Sequence, residues 1–275
     1  MEPPLQRYLR CWTDVLELAR RPALFLPFAI IAAAKSAVLF AMFFFWHPLL
    51  AGFMVPALRT LGGEDALHFP GHVRAFPVMF QTAEIVLMML FSFALTIWAV
   101  FLIADTLEGR RRRFIAYAGV VAILTPAIVI IALCFAAGTI GIPMALNWAA
   151  EEFEERPKIQ FLLLSGALAA GFLATVFLGY TPYFLRSVKG GALAAVRASV
   201  GYAREHLTLT SLVVVTVFVP EKILEYLASD SGSLVGNLHE NWVPGFLFLG
   251  VLIEVVTSFF LFGALTSKAL DRTRT

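Results

Sequence analysis

Charge is scarce in this sequence. Only 15% of its 275 residues are Asp, Glu, Lys or Arg, and 60% are apolar. A soluble domain is about a quarter charged. The scarcity, with a mean hydropathy of +0.82, excludes a large water-soluble core and fits a chain whose solvent is lipid. A net charge of +2 is too small to argue for nucleic acid as a partner. Cysteine is nearly absent: Cys11 and Cys134 supply no disulfide framework. Catalytic signatures are lacking too. The chain has no His-Glu-x-x-His, no P-loop, no Gly-x-Ser-x-Gly and no paired aspartates. His47, His68, His72, His206 and His239 are scattered, and Pro70 and Gly71 between His68 and His72 rule out helical metal-ligand spacing. The reading is therefore non-enzymatic, with neither metal nor cofactor. No cleavable signal peptide is expected within the first 22 residues, which carry charges throughout and no central apolar run.

What the sequence does have is long apolar runs around one block of fixed charge, Arg110-Arg111-Arg112-Arg113, preceded by Asp105 and Glu108. Four arginines do not cross a hydrocarbon core, so the block pins a short loop to the cytoplasmic side. Apolar runs long enough for ~30 Å of hydrocarbon then predict an all-α bundle of six spans, near 23–46, 83–107, 114–137, 159–185, 207–228 and 243–266, in one integral membrane domain. The fifth is the weakest, since Pro220, Glu221 and Lys222 interrupt it. Pro126 is expected to kink the third span. Gly138–Pro143 is expected to break the helix after it, leaving residues 144–155 as an outer loop that ends in Glu151, Glu152, Glu154 and Glu155.

The sorting of lysine and arginine supports this threading. With both termini inside, four fall before residue 22, four at 110–113, four between 186 and 204 and three between 268 and 274. Only Arg59, Arg74, Arg156, Lys158 and Lys222 fall outside. This is a positive-inside bias repeated at every inner loop, and it predicts a bacterial inner-membrane location.

Ahead of the first span, residues 5–21 form an amphipathic pattern. Leu5, Leu9, Trp12, Leu16 and Ala19 share a stripe opposite Arg7, Arg10, Asp14, Glu17 and Arg21. Such a helix lies flat at lipid headgroups or packs on the protein's own cytoplasmic face. A second interfacial helix is expected within 186–206, where Arg197 and Arg204 reach for phosphates. Together with Arg110–Arg113 they are read as anchors for topology and lipid headgroups.

Two charges lie near mid-span: Lys35 in the first span and Glu254 in the last. A lone charge at mid-bilayer costs about 3 kcal/mol on insertion scales, so two opposite charges at one depth relieve each other if their helices touch. The first reading of the pair is a salt bridge that closes the bundle. The second is a charge relay or substrate site. Gly166, Gly171 and Gly179 let the fourth span approach its neighbours closely.

Thr181-Pro182-Tyr183-Phe184-Leu185, then Gly191–Ser199, then Ala203-Arg204-Glu205-His206-Leu207 form a pattern in which a span ends near a proline, a small-residue helix follows, and a new apolar run begins. Leu18–Pro27 and Gly109-Arg110 before Phe114 repeat the device, and Gly141–Pro143 adds a glycine-proline segment. This organisation resembles the six-span inner-membrane families related to the membrane domain of glycerophosphodiester phosphodiesterases. The resemblance implies a helical bundle without catalytic residues, since no phosphodiesterase domain is present. The reading taken forward is a scaffold or accessory subunit, with membrane lipids and other membrane proteins or self-association as partners. The alternative is a small transporter or lipid-handling permease that uses Lys35 and Glu254.

Overall fold

In the computed structural model of the chain, the structure describes residues 4–68, 79–80, 82–87, 91–110, 117, 119–121, 124–153, 155–229 and 242–274. They are helical and contain no β-strand. In order the helices are α1 (Pro4–Ala19), α2 (Leu26–Phe43), α3 (Pro48–Gly62), α4 (Phe93–Leu107), α5 (Thr125–Ala136), α6 (Ile142–Glu151), α7 (Pro157–Leu178), α8 (Thr181–Ser187), α9 (Gly191–Glu205), α10 (Leu207–Ser229) and α11 (Trp242–Arg274). Four stretches are long and apolar enough to cross a membrane: Pro22–Phe43, Thr125–Ala150, Pro157–Ser187 and Pro244–Asp271. A fifth arises if α9 and the first part of α10 count as one broken span, bent by 100°. α4 is apolar but shorter, at 15 residues.

Prolines and glycines punctuate these helices. Pro22 opens a 3-10 turn, Pro22–Phe25, that feeds α2, and Pro48 and Pro157 open α3 and α7. The first turn is where a missing N–H costs nothing. α4 ends where Gly109 adopts φ +70°, a conformation glycine takes without penalty, so that Arg110 turns away from the helix axis.

α11 is the central element and packs against α1, α2, α4 and α10. Its segment Phe262–Leu270 is buried on every side, as an inner helix must be. Around it lies the main core: Cys11, Val15 and Leu18 of α1, Phe28 and Ile31 of α2, Ile97 and Val100 of α4, Tyr180 and Phe184, Tyr202 of α9 and Val213 of α10. Phe25 stacks on Phe259 with ring centroids 3.8 Å apart, fixing the entry of α2 against α11. A second, smaller core at the other end joins Leu39, Met42, Phe45, Met54, Leu58, Met79, Phe80 and Val251. Lys35 lies on α2 between the two.

Two sequence expectations change. Gly138–Pro143 does not break the third apolar stretch. The chain passes through a π-helical turn, Ala137–Gly141, and continues as α6 to Glu151. In the π turn Ile142 N–H bonds back five residues to Ala137 O, so the backbone pairing shifts just before Pro143, which has no N–H of its own. Gly138 permits the close approach to α7 that locks this turn, since a Cβ there would stand 2.8 Å from the Cβ of Ala174. The apolar stretch is therefore Thr125–Ala150 and residues 144–150 belong to it, while part of the expected 114–137 span lies outside the described residues. Pro126 stands in the first turn of α5, and residues 122–123 just before it lie outside the described residues. Second, α1 docks through a face beside its expected stripe. Cys11, Val15 and Leu18, which are not on that stripe, are buried against the bundle, while of the stripe itself Trp12 and Ala19 are half-buried and Leu5, Leu9 and Leu16 stay exposed. The helix is thus docked on the protein through the edge of its apolar sector, with Asp14 Oδ2 accepting from Ser267 Oγ at 2.5 Å and Tyr8 OH hydrogen-bonded to Thr216 Oγ1 at 2.9 Å.

Candidate functional site

Lys35 and Glu254 meet: Lys35 Nζ donates to Glu254 Oε2. The same nitrogen lies 3.0 Å from Glu84 Oε1. One ammonium therefore bridges two carboxylates from different parts of the chain. Lys35 is 6% exposed, whereas the Glu84 and Glu254 side chains keep 30% and 35% of their surface accessible. The sequence places Glu84 at the outer edge of a span and offers no link to Lys35. The link is made by the neighbours Met79 and Phe80, which pack in the second core against α2 and bring residues 82–87 past Lys35.

A second charged cluster stands where α4 ends. Asp105 and Glu108 are three residues apart and so share one helix face. Arg186, near the end of α8, reaches both: Nη2 donates to Asp105 Oδ1 and, at 2.6 Å, to Glu108 Oε2. Tyr117 OH donates to the other oxygen of Asp105 at 2.5 Å. Arg110 Nε lies 3.2 Å from Glu108 Oε2. Asp105 is almost completely buried, so its charge is held by hydrogen bonds to an ion partner, the condition under which a buried carboxylate is tolerated. Sequence reading counts Arg186 and Arg110 as topology charges and misses the cluster. Its signal was present: two acids on one face at the end of one apolar stretch, and an arginine closing another on the same side.

The four arginines are only partly placed. Arg110 is exposed apart from its contact with Glu108, and Arg111, Arg112 and Arg113 lie outside the described residues. Arg197 and Arg204 are exposed on α9. His68 is exposed and His72 lies outside the described residues. Lys268, buried near the end of α11, points at the right-angle bend between α9 and α10. Its Nζ lies 3.4 Å from both His206 O and Thr210 Oγ1, and 5.9 Å from the centre of the Tyr202 ring. Tyr202 OH returns a hydrogen bond to the Lys268 carbonyl at 2.9 Å. These bonds fix the bend and use up polar groups that would otherwise be stranded in the core.

An open cleft of about 380 Å³ borders the Asp105 cluster, lined by Phe101, Asp105, Arg110, Tyr117, Val120, Leu124, Leu185 and Arg186. Among the described residues no group of three or more His, Cys, Asp or Glu is placed to hold a metal ion. Long apolar helices, charges that meet in ion clusters, and apolar side chains turned outward define the class as a helical, membrane-embedded protein. Within that class no family model matches the chain, and no curated protein or solved structure is significantly similar to it.

Proposed function

We propose that this is a non-enzymatic inner-membrane protein with six spans and both termini cytoplasmic, acting as a scaffold or accessory subunit that packs against other membrane proteins or lipids. The observation that carries the reading is the α6–α7 hairpin. α6 packs on α7 and on the π turn, and Met144, Trp148, Phe161, Leu162 and Leu168 remain exposed along the pair. Across the four candidate spans a third or less of each apolar window is buried within the chain. Surface of this kind needs apolar cover, from lipid or from a partner's helices. The resemblance to six-span inner-membrane families, which rests on organisation, agrees with a bundle that works through its surfaces.

A second reading draws on Lys35. One buried cation bridging two partly accessible carboxylates near mid-span is also how a transporter holds coupling charge. Gentle extraction from native membranes, followed by mass spectrometry of everything that accompanies the protein, separates the two. A stoichiometric protein partner is the expected result. Recovery of the chain without a protein partner and with a stoichiometric small molecule, lost in Lys35→Met, would overturn the scaffold reading in favour of transport.

A further inference from the structure

The cleft beside Arg186 leaves a buried donor of that arginine without an acceptor among the described residues. Asp105 receives donors on both oxygens, from Arg186 and Tyr117. Glu108 Oε2 receives Arg186 and Arg110. Three of the four carboxylate oxygens thus already carry donors. What is left over is donor capacity. Arg186 Nη1 is buried and meets no acceptor among the described residues. Arg110 commits its Nε to Glu108 and keeps 60% of its side chain accessible. An unmet donor on a charged group is among the costlier defects a fold carries. It is relieved by a group that brings acceptor oxygens and no competing donors.

The other wall of the cleft is apolar: Phe101, Val120, Leu124 and Leu185. A small hydrated anion gains nothing from that wall. A headgroup with an apolar body attached gains from both, and arginine's planar fork matches phosphate oxygens in geometry as well as charge. The location agrees. The cleft opens just past the end of α4 at Leu107, where the chain turns at Gly109 and the arginine run begins, the level at which a membrane helix meets headgroups.

We infer that the Arg110–Arg186 cleft is a binding site for a phosphate monoanion or diester, with a glycerophospholipid headgroup as the occupant that fits both its walls. The inference rests on the membrane-embedded reading. It is tested separately from it, because each variant below is first shown to extract and elute as the parent does.

The experiment is native mass spectrometry of the full chain in detergent, titrated with dioleoylphosphatidylglycerol and, in a parallel arm, with inorganic phosphate. Two variants accompany it. Arg110→Gln removes an exposed donor without touching the Arg186–Asp105 contact. Val120→Trp fills the apolar side of the cleft and leaves both arginines in place. The expected result is one saturable lipid site whose affinity falls by about tenfold or more in each variant, the scale of one charge-assisted hydrogen bond, with no competition from inorganic phosphate. Saturable phosphate binding lost in both variants, with no lipid bound, supports the same site and assigns it to a soluble phosphate ester. Loss in Arg110→Gln with none in Val120→Trp puts the anion on the exposed arginine alone and overturns the cleft. Absence of binding in both arms, or binding equal in all three proteins, overturns the inference outright.

Discussion

Replacing Lys35 by Met tests the bridging arrangement most directly. Both carboxylate oxygens contact one nitrogen, with Glu84 at 3.0 Å and Glu254 in direct hydrogen bond. The two oxygens are therefore within about 6 Å of each other, and two like charges at ~5 Å repel by about 3 kcal/mol at an effective dielectric constant near 20. Removing the central cation exposes that repulsion, and breaking a buried pair from one side costs about 3–5 kcal/mol. Lys35→Met is accordingly the severe variant. Glu254→Gln is milder, because Glu84 still neutralises the ammonium and the new amide oxygen still accepts. Its cost is about 1–2 kcal/mol, near that of one hydrogen bond to a charged group. The double variant Lys35→Met/Glu254→Gln removes one of the two repelling charges and recovers about 2 kcal/mol of the Lys35→Met loss, a coupling energy of the size seen for residues in contact. Folded yield by size-exclusion chromatography and thermal midpoint in detergent report the order. Equal losses in Lys35→Met and Glu254→Gln, or a double variant no better than Lys35→Met, would refute one cation held between two carboxylates.

Two further outcomes follow from the packing. Cys11 is buried in the main core, and burial, followed by the nearby Asp271 carboxylate, pushes its thiol from 9.0 up to about 11. The neutral form is the folded one, so this contribution to stability is whole below pH 9 and lost as pH rises towards 11. Maleimide labelling of native protein at pH 7.5 is therefore slow at Cys11 and becomes fast only in denaturing detergent; fast native labelling there would show that α1 is not docked. Gly138→Ala places a methyl group 2.8 Å from Ala174 Cβ and lowers stability by about 1–3 kcal/mol through overpacking. The second change Ala174→Gly restores most of that loss, and a thermal midpoint unmoved by Gly138→Ala would refute the close contact that locks the π turn.

Much of the helical content was legible because apolar runs of spanning length are long and one-signed. Depth placed Lys35 and Glu254 at one level and made their contact depend on the first and last spans touching; α2 and α11 do pack together, and the two charges meet. Glu84 was not legible, because its approach depends on how residues near Met79 and Phe80 fold back over α2, and sequence periodicity carries no information on that return. The helix through 138–143 was misread for a related reason. Glycine and proline mark a break wherever backbone pairing must be regular, but a π turn absorbs them, and it is held by a neighbour, Ala174, that lies 36 positions away in the chain. Asp105 and Arg186 escaped pairing because positive charge was read for the side of the membrane it marks, which treats each arginine as an independent anchor.

The common height of Lys35 and Glu254 comes from how α2 and α11 register against each other. Phe25 stacks on Phe259 with ring centroids 3.8 Å apart, and Phe28 meets the same ring edge-on at 6.2 Å. Lys35 lies 7 residues beyond Phe28 and Glu254 lies 5 residues before Phe259, legs of about 10 Å and 8 Å at 1.5 Å per residue. Beyond the charges, Leu39 and Met42 of α2 join Val251 of α11 in the second core. The two helices therefore run in opposite directions, and the aromatic contact on one side and the second core on the other hold the opposite charges at one height between two packed layers. α1 braces the same helix further along, where Ser267 donates to Asp14 and Gly263 lets Val15 approach, since a Cβ there would stand 3.1 Å from Val15 Cγ2.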